Sequence, residues 1–129
     1  MTAVDTNVVV RFLTRDEADQ FQRAVALFER DTVQIPDTVW LETAWVLRFA
    51  YGYPPATIIQ ALRGLLGLPQ VRVTDSARLL LALEWHAAGL DFADALHLAS
   101  SQDASTMATF DKSFARKSAR LGQCRVVEL

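Results

Sequence analysis

The sequence predicts an α/β fold, a parallel five-stranded sheet with helices on both faces. Short β-branched segments alternate along the chain with segments of helical apolar spacing. No two-residue hairpin turn joins any two of the strands, so the strands are expected to be parallel and linked by helical crossovers. Length and composition fit one domain over residues 1–129: half of the residues are apolar, 22% are charged and only nine are Gly or Pro.

Thr2-Ala3-Val4-Asp5 reads as a short buried strand ending at an acid. From Asp16 to about Asp31, Ala18, Phe21, Val25 and Phe28 recur at helical spacing with polar residues between them. Val33-Gln34-Ile35-Pro36 is β-branched and stopped by proline, as a second strand would be. Asp37 or Thr38 is expected to cap a helix to about Ala50, which Gly52-Tyr53-Pro54-Pro55 breaks. Ile58, Ile59, Leu62, Leu65 and Leu66 form the stripe of the next helix, which Gly67-Leu68-Pro69 ends. Val71-Arg72-Val73 is a third strand. Asp75 or Ser76 then caps a helix through about Ala88, and Asp91 opens another through about Gln102. Thr106 to Phe110 is a fourth strand, Ser113 to Arg120 a last helix, and Arg125-Val126-Val127 a fifth strand.

Several classes are excluded. A single Cys124 forms no internal disulfide and no zinc cluster. The apolar runs fall short of the ~20 residues that span a bilayer, and no signal segment opens the chain, so a soluble cytoplasmic protein without a membrane partner is expected. Thirteen basic against fifteen acidic residues give a net charge of −2, which is not the surplus of a passive nucleic-acid binder. The bases are nonetheless uneven: Lys112, Arg116, Lys117, Arg120 and Arg125 crowd the C-terminal segment.

Four acids stand in apolar company: Asp5 between Ala3-Val4 and Val8-Val9-Val10, Glu42 within Val39–Leu47, Asp94 in Phe92–Leu96 and Asp111 after Met107–Phe110. A lone buried carboxylate is costly unless it is paired, protonated or bound to a metal. Each has an alternative local role. Asp5 can hold its own turn, Glu42 can pair with Arg11 or Arg48, Asp94 can sit in the first turn behind a capping Asp91, and Asp111 can cap the last helix. All four together suggest a shared solution, a hard cation such as Mg²⁺ or Mn²⁺ held by oxygen ligands. Crowding should then raise at least one carboxylate pKa in the metal-free chain. His86 reads as a surface residue, and His97, one turn past Asp94, reads as a packed or supporting group rather than a ligand.

Asp5-Thr6-Asn7, Leu41-Glu42-Thr43, Asp91-Phe92-Ala93-Asp94-Ala95-Leu96-His97 and Thr109-Phe110-Asp111 together resemble the PIN-domain nucleases. More narrowly, they resemble the VapC-type toxins of bacterial and archaeal toxin–antitoxin pairs, over essentially the whole chain. The resemblance implies that Asp5, Glu42, Asp94 and Asp111 bind one or two Mg²⁺ or Mn²⁺ ions, and that Thr6, Asn7 and Thr109 fix carboxylates and waters. Asp91 reads as a cap that supports this group from outside the four. Lys112-Ser113 stands where many relatives carry another acid, a departure that bears on a second metal.

The implied activity is an endoribonuclease in which a metal-activated water attacks an RNA phosphodiester in line, leaving 5′-phosphate and 3′-hydroxyl ends. Implied partners are an RNA substrate, a cognate antitoxin and a second copy in a homodimer; Trp40, Trp45, Phe49, Tyr51, Tyr53 and the Ile58–Leu66 stripe either pack in the core or offer apolar surface for a second copy and an antitoxin helix. With the four acids set aside, thirteen bases face eleven acids, and Lys112, Arg116, Lys117 and Arg120 become candidates for the RNA backbone. A catalytically silent module acting by RNA or antitoxin contacts, and a nuclease cutting structured DNA, are the alternatives. A phosphoacceptor domain is not, because Thr6-Asn7 rather than a second acid follows Asp5, and no phosphorylatable Asp ends the third strand.

Overall fold

Asp5 turns the first strand directly into a helix. In the computed structural model, which describes residues 1–129, its carboxylate accepts the Val8 N–H at 3.3 Å and caps α1, Thr6–Thr14. The apolar periodicity did not reveal α1, because Val8-Val9-Val10 is a β-branched run that reads against a helix. The cap and the burial of Thr6, Val9 and Val10 on one side outweigh that propensity.

The chain divides into two units, Met1–Thr74 and Asp75–Leu129. In the first, β1 (Thr2–Ala3), α1, α2 (Ala18–Arg30), β2 (Val33–Gln34), α3 (Asp37–Phe49), α4 (Pro55–Leu66) and β3 (Val71–Arg72) follow in order. Their strands pair in parallel in the order β1-β2-β3, with Thr2 opposite Val33 and Val33 opposite Val71. Phe12 of α1 stacks on Phe28 of α2 with ring centroids 4.1 Å apart. Trp40 is buried and donates its indole N–H to the Ile35 carbonyl at 3.2 Å, so the bulkiest core residue of α3 leaves no polar atom unpaired. Ile58, Ile59, Leu62 and Leu65 of α4 are buried as well, so Trp40 and this stripe pack in the core and do not offer surface to a partner.

The second unit holds α5 (Ser76–Ala87), α6 (Phe92–Ala99), β4 (Thr106–Thr109), α7 (Lys112–Lys117) and β5 (Arg125–Glu128). α5 packs on α6, burying Leu79, Ala82, Leu83, Ala95 and Leu98. β4 and β5 pair in parallel from Thr106–Arg125 to Thr109–Glu128. Gln102 fastens the loop before β5: its side-chain oxygen accepts the N–H groups of Gln123 at 2.8 Å and Cys124 at 3.3 Å. Gly122 has φ +66°, and a Cβ there would meet that oxygen at 2.5 Å and the Trp85 ring at 2.9 Å.

The strands form a three-stranded and a two-stranded parallel sheet rather than one sheet of five. Three of them keep only two residues each, because helices begin almost at once: Asp5 caps α1 just after β1, Pro36 opens α3 and Asp75 caps α5. Such strands have few backbone groups with which to extend a ladder. Several boundaries also move. Pro36, not Asp37 or Thr38, is the N-cap of α3 and provides no side-chain bond; α6 ends at Ala99 rather than near Gln102; and α7 covers Lys112–Lys117 rather than Ser113–Arg120. No helix is long and apolar enough to cross a membrane.

Candidate metal centre

Within Met1–Thr74, the candidate acids are Asp5 and Glu42. Asp5 uses Oδ1 to cap α1, and its Oδ2 accepts no hydrogen bond from the protein. One residue on, the buried Thr6 donates its hydroxyl to Glu42 Oε1, tying the first turn of α1 to the middle of α3. The ion-pair alternative for Glu42 does not occur. Arg11 is engaged by Asp16 at 3.2 Å and Tyr51 at 2.9 Å, and Arg48 reaches the Tyr53 carbonyl at 3.4 Å. Asn7 is exposed and lines a cavity of about 270 Å³ between α1 and α2, alongside Arg11, Gln20 and Leu27.

Within Asp75–Leu129 the acids are Asp91, Asp94 and Asp111. Asp91 caps α6, its Oδ2 accepting the N–H groups of Ala93 at 3.1 Å and Asp94 at 3.4 Å. That fixes Asp94 in the first helical turn, where its carboxylate is in no ion pair with Lys or Arg. Asp111 caps α7 through Phe114 N–H at 3.1 Å, while Thr109 Oγ1 accepts the Asp111 N–H at 3.0 Å and holds the turn out of β4. The Asp111 cap anticipated as its local role is therefore present, and it occupies only Oδ1.

Burial pushes the Asp94 carboxyl above the ordinary range, the negative charges of Asp91 and Asp111 push it further, and His97 pulls it partly back. Asp91 and Asp111 thus both lie within electrostatic reach of Asp94. His97 itself is exposed. His86 is half-buried rather than on the surface, with Nδ1 at 2.5 Å from the Leu90 carbonyl and its ring edge-on to Phe92.

The expectation of buried acids fails for three of the four. Asp5, Glu42 and Asp111 are exposed, and only Asp94 is half-buried. The apolar neighbours of Glu42 misled for a specific reason: two of them, Trp45 and Phe49, are themselves 61% and 65% exposed, their rings 5.5 Å apart on the surface of α3. Exposure removes the desolvation argument for a cation at those three and leaves, within the second unit, the repulsion of Asp94 by Asp91 and Asp111.

The carboxylate set of each unit suits a hard divalent ion in its chemistry: oxygen donors, Asp5 and Glu42 in the first and Asp94 and Asp111 in the second, none ion-paired to Lys or Arg, with the charges of Asp91 and Asp111 raising the proton affinity of Asp94. It is not preassembled, since no group of three or more His, Cys, Asp or Glu side chains is gathered into a metal-holding cluster. Lys112, Arg116, Lys117 and Arg120 are all exposed and free of ion pairs. One feature beside the acids was not found from the sequence: Phe110, between Thr109 and Asp111, is 82% exposed. No sequence signal set it apart from the strand, because β4 ends at Thr109 and Phe110 lies in the bend that follows.

No curated protein matches the sequence significantly. Two solved structures are similar. The VapC20 toxin of Mycobacterium tuberculosis, described as cleaving the sarcin-ricin loop, is 21% identical, with 97% of this chain and 99% of that chain covered and a TM-score of 0.45. VapBC2 from Rickettsia felis, bound to a DNA fragment from its promoter, is 16% identical, with 98% and 97% covered and a TM-score of 0.42. The sequence profile of the PIN domain matches residues 2–119, nearly the whole chain, and the chain therefore belongs to the PIN domain family.

Proposed function

We propose that this PIN domain, spanning residues 1–129, is a metal-dependent endoribonuclease toxin of the VapC type that acts in the cytoplasm and is inhibited by a cognate antitoxin. The observation that carries the reading is the set of unneutralised carboxylates, above all Asp94, held half-buried under the charges of Asp91 and Asp111. Membership of the PIN family supports nuclease chemistry on those acids.

In this reading Asp5, Glu42, Asp94 and Asp111 are the ligands of Mg²⁺ or Mn²⁺. When bound, the ion neutralises phosphate charge and makes a water nucleophilic near neutral pH. The chain's own groups set the ligand orientations. Thr6 fixes the rotamer of Glu42, Asp91 anchors the helical turn that carries Asp94, and Thr109 holds the backbone of Asp111. Caps on Asp5 and Asp111 orient those carboxylates while leaving one oxygen of each available. Lys112, Arg116, Lys117 and Arg120 offer positive charge to the RNA backbone directly after Asp111. The exposed Trp45–Phe49 pair is the surface assigned to a second copy of the chain.

Purified protein incubated with a mixed RNA panel in Mg²⁺, Mn²⁺ or EDTA tests the reading. Cleavage that requires metal and disappears in folded Asp5→Asn and Asp94→Asn variants is expected. Cleavage persisting in both variants would remove these acids from the reaction.

A further inference from the structure

Exposure alternates along β4, Thr106 and Ala108 being exposed, and Phe110, in the bend just past the strand, is exposed as well. A single exposed phenylalanine is unremarkable by itself. Phe110 is set apart by its surroundings. It lies between Thr109, whose hydroxyl accepts the Asp111 N–H, and Asp111 itself. Ala108, two residues back, places nothing tall beside the ring. The ring has no aromatic partner. Lys112 and Arg116 follow it along the chain, exposed and without ion pairs, while the β4–β5 register sets the exposed Glu128 opposite Thr109 and leaves Arg125 opposite Thr106 at the other end of the ladder.

We propose that Phe110 is a stacking platform for a base of single-stranded RNA beside the bond to be cut, with Lys112 and Arg116 on the adjoining phosphates. The proposal rests on the RNA-cleavage reading above and adds a residue that positions the substrate. An outward aromatic just past a strand end, followed along the chain by the unpaired cations Lys112 and Arg116, suits a ligand that is flat and anionic at once. Unstacked RNA bases meet that description, and sheet aromatics with neighbouring Arg or Lys hold single strands in this way. The apolar anchor of a protein partner would instead be expected to sit in a charge-depleted centre, which this surface lacks.

The test uses the full chain carrying Asp94→Asn, so that cleavage does not intervene, in Ca²⁺ as a hard oxygen-seeking ion. Fluorescence anisotropy reads the binding of a labelled uridine 12-mer and of a 12-mer with the same backbone built from abasic residues. Phe110→Ala is expected to weaken uridine binding roughly tenfold, Phe110→Trp to restore it, and both to bind the abasic strand within about twofold of the parent. Thermal melts should be unchanged, given the exposure of the ring. Equal uridine binding by Phe110→Ala, or equal loss on both strands, would overturn the stacking role and leave the ring to a protein partner. Failure of the parent to bind the uridine strand at all would overturn the RNA reading as well, which separates the two failures.

Discussion

The buried hydroxyl of Thr6 donates to the exposed carboxylate of Glu42, 36 positions further along the chain. One residue after the acid that caps α1, the chain thus takes hold of the acid in the middle of α3. Glu42 has no arginine partner, so this bond is what fixes its orientation.

Thr6→Val keeps the shape and removes the donor. Stability should fall by only about 1 kcal/mol, the net value of one hydrogen bond. Metal-dependent turnover should fall about tenfold as Glu42 is released, while Thr6→Ser retains it. Steady-state kinetics with a denaturation curve for each variant checks both numbers.

Asp94 gives a prediction of opposite sign for stability. Its carboxyl pKa is raised by burial and by Asp91 and Asp111, so the fold disfavours the ionised form. That penalty applies at pH above the folded pKa and is relieved as the pH falls through it. In EDTA at pH 7.5, Asp94→Asn should therefore melt higher than the parent, and the difference should vanish under acidic conditions. The same proton competes with a cation, so Mn²⁺ affinity by calorimetry should be weaker at pH 5 than at pH 7.5.

Asp16 titrates the other way. The Tyr51 hydroxyl at 2.6 Å, the Thr14 hydroxyl at 2.8 Å and the Arg11 guanidinium hold its carboxyl below the ordinary range. A depressed pKa contributes stability that is present above the unfolded value and lost as the pH falls through the folded one. Asp16→Asn should lower the melting temperature at neutral pH and converge with the parent at the acid end of the titration. Melts from pH 6 down to pH 3 would show this.

Gly122→Ala should cost roughly 1–3 kcal/mol, because the new methyl meets the Gln102 side chain and the Trp85 ring at a positive φ. Urea unfolding measures it. Trp45→Glu should leave stability nearly unchanged, since that ring is exposed, yet lower the mass read by light scattering to that of one chain, as the proposed contact between copies requires. An unaltered mass would remove Trp45 from a contact between copies.

Local chemistry was readable wherever a cap or a period stated it. Asp75 and Asp91 cap where expected, and the α4 stripe is buried as its spacing predicts. What stayed hidden depends on the surroundings of each residue. The Val8–Val10 run conceals α1 because its helicity comes from a cap and from burial, not from propensity. The apolar sequence around Glu42 implies burial only if Trp45 and Phe49 point inward, and both lie on the surface. Five strand-like segments do not establish one sheet, because a count of segments carries no information on which edges meet. Motif spacing singled out the candidate acids, whereas the raised proton affinity of Asp94 depends on distances to Asp91 and Asp111 that spacing leaves open.

The most direct measurement is the end chemistry of RNA cut by the metal-loaded protein, beside an EDTA control. Carboxylate-held metal predicts 5′-phosphate and 3′-hydroxyl ends, formed only with Mg²⁺ or Mn²⁺ and lost in Asp94→Asn. Ends carrying a 2′,3′-cyclic phosphate, or cleavage that continues in EDTA, would contradict it.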